Sequence, residues 1–143
     1  MNKVLVADDE KSVRMLMCEL LMKEGYEVIE TADGKEAVEL ARRENPHVIL
    51  MDISMPVMNG IKACRKLKKD ERTKYIPILV VTAVGTSRMK AIAAGADDFL
   101  QKPFDLEEVS IRVRSMLKMR HLTGELQRLY AYVEELEKER KKF

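Results

Sequence analysis

The sequence predicts one α/β domain, a five-stranded parallel sheet covered by helices on both faces, with its last helix prolonged into a coiled-coil tail. Three observations predict it. Short apolar runs of strand length alternate five times with stretches of helical periodicity, and right-handed crossovers leave few topologies for such a chain other than a doubly wound parallel sheet. The run Val48-Ile49-Leu50-Met51 has no polar alternation, as expected of a strand buried on both faces. Beyond about Leu117, leucines at spacings of three and four continue past the end of the alternating pattern.

In chain order, Lys3 to Ala7 carries Val4, Leu5 and Val6 and stops at Asp8-Asp9-Glu10. Val13, Leu16, Met17, Leu20 and Leu21 then recur on one predicted helix face through Lys23, with Gly25 placed to end the helix. Tyr26 to Glu30 alternates like a strand, and Asp33 with Glu36 has the spacing of a capping box that opens a second helix through Ala37, Val38 and Ala41. The third strand follows, bounded by Asn45-Pro46 and Pro56, and delivers Asp52 to its C-terminal edge. A helix over Met58 to Lys69 turns Ile61, Cys64 and Leu67 inward. Ile76 to Val81 is the fourth strand and ends at Thr82-Ala83. Ser87 to Ala94, closed by Gly95, is a short helix; Asp98 to Gln101 is the last strand and runs into Lys102-Pro103. Asp105 and Glu108 open the final helix, with Leu106, Val109, Val113 and Leu117 on one face.

Composition narrows the function classes. A chain of 143 residues with 46% hydrophobic and 35% charged residues suits one soluble domain with an appendage. We divide it into a domain over 1–118 and a helical extension over 119–143. A net charge of +2 supplies no electrostatic case for direct nucleic-acid binding. No apolar run reaches the roughly 20 residues of a membrane span, and the N-terminus lacks a signal-peptide layout, so a cytoplasmic location is expected. Cys18 and Cys64 lack the spacing of a metal site and are expected to be reduced, packed thiols.

Strands in a parallel sheet share one C-terminal edge, where open α/β sheets bind ligands, so Asp8, Asp9, Asp52, Thr82 and Lys102 should converge there. Clustered carboxylates repel unless a cation lies among them. An oxygen-only ligand set favours a hard ion, Mg²⁺ first and Mn²⁺ or Ca²⁺ behind it. Such a site suits phosphoryl transfer, with Asp52 as nucleophile, Lys102 neutralising developing charge and Thr82 donating to a phosphoryl oxygen.

The motifs Ala7-Asp8-Asp9-Glu10, Met51-Asp52-Ile53-Ser54-Met55-Pro56 with Gly60, Val81-Thr82-Ala83 and Lys102-Pro103-Phe104 together make the chain resemble the receiver domain of two-component response regulators over about residues 2 to 118. The resemblance implies a flavodoxin-like sheet of order 2-1-3-4-5, an order the general rule for such sheets illustrates with a member of this family. It also implies Asp52 as phosphoacceptor from a histidine kinase. Mg²⁺ would be held by Asp9, Asp52 and the backbone carbonyl of Ser54, with Asp8 acting through metal-bound water. The Lys102-Pro103 peptide would be cis. Thr82, Ala83 and Phe99 would read out the phosphoryl group, Phe99 standing where a tyrosine is commoner. Ser54 and Val84 occupy the positions that tune hydrolysis; neither has a carboxylate or amide to orient a water, so a long-lived phosphoryl group is expected.

Leu122, Leu126, Leu129, Val133 and Leu136, with Met119, form a heptad seam flanked by charges of both signs. The expected assembly is a parallel homodimer through this helix and the surface of the fourth helix, fifth strand and fifth helix. Helical linkers of this kind also join receivers to cyclic-dinucleotide synthases or phosphodiesterases. Two alternatives come from other classes. An Asp-nucleophile phosphatase of the haloacid dehalogenase type needs an Asp-x-Asp motif after the first strand, where this chain has adjacent Asp8-Asp9. A phosphorylation-independent coiled-coil adaptor would have no use for the acid set.

Overall fold

The computed structural model describes residues 1–82 and 88–141, the side chains of residues 121 and 123 excepted. Its elements alternate strictly: β1 Lys3–Ala7, α1 Lys11–Lys23, β2 Glu27–Thr31, α2 Gly34–Glu44, β3 Val48–Asp52, α3 Gly60–Lys69, β4 Ile78–Thr82, α4 Arg88–Ala93, β5 Asp98–Gln101 and α5 Leu106–Lys141. All pairings are parallel and the strand order is β2-β1-β3-β4-β5, the flavodoxin-like order.

Side-chain alternation explains why the central strands carry no polar residue before their last position. In β3, Val48 and Leu50 face α1 and α5, where they join Met17, Leu21, Val109 and Val113; Ile49 and Met51 face α2, α3 and α4, where they join Val38, Cys64, Leu67 and Ala91. Both layers are sealed from water, so each pleat direction needs an apolar residue. Asp52 is the first residue of this strand to carry charge, at the edge where the helical layers diverge.

Local signals set most boundaries. The Asp33 carboxylate accepts from the backbone amides of Lys35 and Glu36 at 2.6 and 3.1 Å, fixing the start of α2. Asn59 accepts from the Lys62 amide at 2.9 Å, so α3 begins at Gly60 rather than Met58. α2 ends on Asn45 in the left-handed conformation, and α1 is followed by Gly25 at φ 91°. β2 and β4 each lie one or two residues later than their apolar patterns suggest, because Tyr26 and Ile76 bury their side chains before the ladder hydrogen bonds begin. One inward assignment is corrected: Leu16 is 51% exposed, and Cys18 takes its place in the core. The wheel of α1 centres on Met17 and Leu21, about 100° per residue from Leu16, which leaves Leu16 on the rim.

Lys68 ties α3 to the start of β4. Its ammonium donates to the carbonyl of Ile76 at 2.8 Å and to Asp97 Oδ2 at 2.7 Å, and that same oxygen accepts from the Ile78 amide at 2.8 Å. Replacing Lys68 with Met should cost about 2 kcal/mol, because Asp97 is left partly buried beside carbonyls that have lost their donor. Urea unfolding followed by far-UV circular dichroism measures it; an unchanged midpoint would show the cluster to be merely solvated.

Both cysteines are free and buried. Burial, then the Glu30 carboxylate that accepts from Cys18 Sγ at 3.3 Å, pushes the Cys18 thiol up to about 12; burial pushes Cys64 up to about 11. These folded values lie above the unfolded one, so the thiols' contribution to stability is complete below about pH 8.5 and is lost as pH rises toward the folded values. Between pH 8 and pH 10 the two together should remove about 4 kcal/mol. Urea midpoints at the two pH values test this, and the loss should be halved in Cys18→Val.

α5 continues without a break through the predicted extension. Leu122, Leu126, Leu129, Val133 and Leu136 are between 42% and 63% exposed, so the seam has no partner within the described chain. Among the described residues no helix is long and apolar enough to cross a membrane.

Candidate functional site

The register of the sheet builds the site. Ala7 is level with Met51 and Asp52 with Val81, so Asp8 and Asp52 leave adjacent strands at the same height while Thr82 and Gln101 end the next pair. Carboxylate oxygens of Asp8, Asp9 and Asp52 lie within 4.8 Å of one another. Asp8 is fully buried, Asp52 is 5% exposed and Asp9 is open to solvent.

Lys102 closes the cluster from β5. Its ammonium lies 3.1 Å from Asp8 Oδ2, 3.5 Å from Asp52 Oδ2 and 3.6 Å from Glu10 Oε2. The backbone aims it there: the Lys102 amide donates to the Thr82 carbonyl at 2.6 Å, and the Lys102–Pro103 peptide is cis. Burial alone would push the ammonium down, but Asp8, Asp52 and Glu10 hold it above its ordinary value.

Asp52 differs. Burial first, then the neighbouring Asp8 carboxylate, pushes it up to about 6, against the opposing pull of Lys102. One cation among three carboxylates leaves the cluster short of positive charge. That shortage, together with oxygen atoms close enough to share one ion, fits a hard divalent cation. The Ser54 amide donates to Asp52 Oδ1 at 3.4 Å, which brings the Ser54 backbone against that carboxylate.

Thr82 is buried at the end of β4. Phe99 is partly buried against the α2–α3–α4 side of the core. Ala83 and Val84, assigned from the sequence to readout and hydrolysis, lie outside the described residues.

Two participants were not singled out from the sequence. Glu10 reaches Lys102, and its amide donates to Asp8 Oδ1 at 2.9 Å. Arg14 donates to the Asp8 carbonyl at 2.8 Å and to Glu30 at 3.2 Å, anchoring the strand end that carries the most buried acid. The signal was present in part: Arg14 lies one helical turn after Glu10.

Comparisons with known proteins agree with this geometry. The family model described as the response regulator receiver domain matches residues 4–114. The chain is 40% identical over 119 residues to the transcriptional regulatory protein SrrA of Staphylococcus aureus, covering 82% of this chain and 48% of that protein. It is 38% identical over 120 residues to the DNA-binding dual master transcriptional regulator RpaA of Synechocystis, covering 82% and 50%. The chain therefore spans about half the length of the curated relatives it matches. Among solved structures, it is similar to the receiver domain of the sensor histidine kinase PA1611 of Pseudomonas aeruginosa, which holds a magnesium ion in its active-site cleft. The identity is 30% and the TM-score 0.77, covering 82% of this chain and 98% of that one. The chemotaxis protein CheY4 of Vibrio cholerae matches with 34% identity and a TM-score of 0.74, covering 81% and 98%.

Proposed function

This chain belongs to the response regulator receiver domain family, and from that premise we propose that Asp52 is its phosphoacceptor. Receiver domains are signalling switches rather than turnover enzymes; they bind Mg²⁺ at an acidic pocket and imply a histidine kinase as partner. Family membership displaces the phosphatase alternative. The two curated relatives reported above are named as transcriptional regulators. The weak case for nucleic acid rests on this chain's charge, whereas one of those relatives is named as DNA-binding.

The observation that carries the reading is the buried Asp52 carboxylate, one strand from Asp8 and 3.5 Å from Lys102. A carboxylate oxygen of Asp52 attacks the phosphorus of a phosphohistidine. The P–O bond forms as the P–N bond breaks, and the released imidazole keeps the electron pair and takes a proton from solvent. Asp9, Asp52 and the Ser54 carbonyl would hold Mg²⁺, or Mn²⁺ in its place, with Asp8 contributing through water, and the bound ion would supply positive charge for the phosphoryl oxygens. Lys102 carries part of the new charge, and the Thr82 hydroxyl donates to a phosphoryl oxygen. Movement of Thr82 toward that oxygen vacates space that Phe99 fills by packing alone, since it has no hydroxyl.

The domain over 1–118 then changes its α4-β5-α5 face, and the extension over 119–143 couples that change to homodimerisation in the cytoplasm. Incubation with Mg²⁺ and acetyl phosphate, read by intact mass and light scattering, tests both steps: one phosphoryl group per chain and a change in oligomeric state are expected. No mass increment would overturn the acceptor, and an unchanged oligomer would overturn the dimer switch. Neither serine at position 54 nor valine at position 84 has a carboxylate or amide to orient a water, so the phosphoryl group should persist for many minutes; loss within seconds would refute that expectation.

A further inference from the structure

At the opposite edge of the sheet, α5 passes over the N-terminal ends of the strands, and a groove opens on each side of it. One, of about 510 Å³, is lined by Asn2, His47, Leu117, Arg120, Gly124 and Arg128. The other, of about 310 Å³, shares Arg120 and Gly124 and adds Asn45, Arg72, Tyr75 and Gln127. Among the described residues no acidic side chain lines either groove, whereas three guanidinium groups, three carboxamides, an imidazole and a phenol do.

Arg120 is the informative residue. Its guanidinium is half-buried, and burial pushes it below its ordinary value. Its hydrogen bond is to a neutral acceptor, the Pro46 carbonyl at 2.8 Å. Among the described residues no carboxylate forms an ion pair with Arg120 or with Arg128, although Lys3 is paired with Glu44 and Arg72 with Asp70. A guanidinium taken partly out of water with no counter-charge is unfavourable, and its hydrogen bond to a carbonyl leaves that charge unbalanced. His47 senses the same field. Its Nδ1 accepts from the Lys3 amide at 2.9 Å, which leaves the ring proton on Nε2, and burial and then the charge of Arg120 hold its pKa below the ordinary histidine value.

We propose that the two grooves, which share Arg120 and Gly124, form one second binding site, for a ligand bearing a di- or polyphosphate group. Planar guanidinium forks match phosphate oxygens two at a time, and several separated cations favour a multiply charged anion over a single carboxylate. The carboxamides of Asn45 and Gln127 and the exposed ring of Tyr75 offer hydrogen bonds and a stacking face to whatever the phosphates carry. Because α5 forms a wall of both grooves, an occupant bridges the helix to the body of the domain and fixes where the tail leaves it. The inference is independent of phosphorylation at Asp52, which lies at the other end of the strands.

Isothermal titration of the full chain with inorganic pyrophosphate, in chelator so that the acid cluster holds no metal, tests the site. Saturable binding of one equivalent is expected. Arg120→Gln should weaken it about tenfold or more, the loss of a charge-assisted hydrogen bond. Should Arg120→Gln fail to fold, Arg128→Gln, at an exposed position, carries the test and should weaken binding several-fold with an unchanged melting curve. Absence of saturable heat, or parent-like affinity in both variants, would overturn the proposal. So would binding only to anionic phospholipid vesicles or duplex DNA, which would mark a diffuse basic surface.

Discussion

Replacing Asp52 with Asn is expected to abolish phosphoryl acceptance from acetyl phosphate, leaving no mass increment under conditions that label the parent chain. The expectation follows from the site's inventory. Asp8 is fully buried and its carboxylate is already committed to Lys102 and to the Glu10 amide, while Asp9 lies in solvent away from the Lys102 ammonium. Neither can replace the oxygen that Asp52 presents beside that cation. A second consequence separates this account from one in which Asn simply damages the fold. Asp52 is held above the ordinary carboxylate range by burial and by Asp8, so its folded value exceeds its unfolded one. Its stabilising share is therefore complete below about pH 4 and is lost as pH rises through about 6, and at neutral pH the ionised group opposes folding. In chelator at pH 7.5, Asp52→Asn should therefore be more stable than the parent by about 1–2 kcal/mol, read from urea midpoints. A variant that is both unlabelled and less stable would point to misfolding instead.

The pairing of lost activity with gained stability describes how the site is built. The sheet brings three acids to one edge and supplies one lysine, so the cluster is poorly balanced until a cation joins it. Lys102 benefits from the acids as much as they benefit from it, since burial alone would favour its neutral form. Arg14 contributes one step back, by holding the carbonyl of Asp8 rather than its carboxylate.

Much of this was legible in the sequence, for identifiable reasons. The uninterrupted apolar run before Asp52 specified a strand buried on both faces, and strict alternation specified parallel pairing, so the convergence of Asp8, Asp52, Thr82 and Lys102 on one edge followed from topology. Asp33, a cap with strong side-chain chemistry, gives the start of α2 to within a residue, whereas spacing alone begins α3 at Met58, two residues before the start that the Asn59 cap sets. Leu16 misled because a leucine near the margin of a helical stripe satisfies the spacing without reaching the core. Glu10 and Arg14 were harder to see, because their roles depend on the angle at which α1 leaves β1, which periodicity does not encode. The grooves around Arg120 were invisible for the same reason: their walls come from α5, the chain start and the loops before β3 and β4, segments distant in sequence.

Gly60 gives the sharpest test of how the scaffold holds Asp52. The motif containing it suggests a turn glycine, yet the structure assigns it a different task. A Cβ built on Gly60 would lie 2.0 Å from the Asp52 carbonyl oxygen and 2.9 Å from the Ile53 Cα, and the Gly60 amide donates to the Ile53 carbonyl at 2.8 Å. Both obstructing atoms are backbone, so no flexible side chain can yield. Gly60→Ala must push α3 away from the end of β3 or displace Asp52 itself, at an expected cost of about 3–5 kcal/mol, a large fraction of an ordinary domain's stability. Gly124→Ala is the matched control, since nothing lies within 4 Å of its added Cβ and it sits inside α5, where Ala should gain up to about 1 kcal/mol. Urea midpoints should therefore move in opposite directions for the two changes. Whatever Gly60→Ala protein still folds should also bind Mg²⁺ more weakly by calorimetry, because the displaced carbonyl belongs to Asp52, whose carboxylate is one of the three clustered acids. Parent-like Mg²⁺ affinity in a destabilised Gly60→Ala chain would show that the α3 junction supports the fold without setting the geometry of the site.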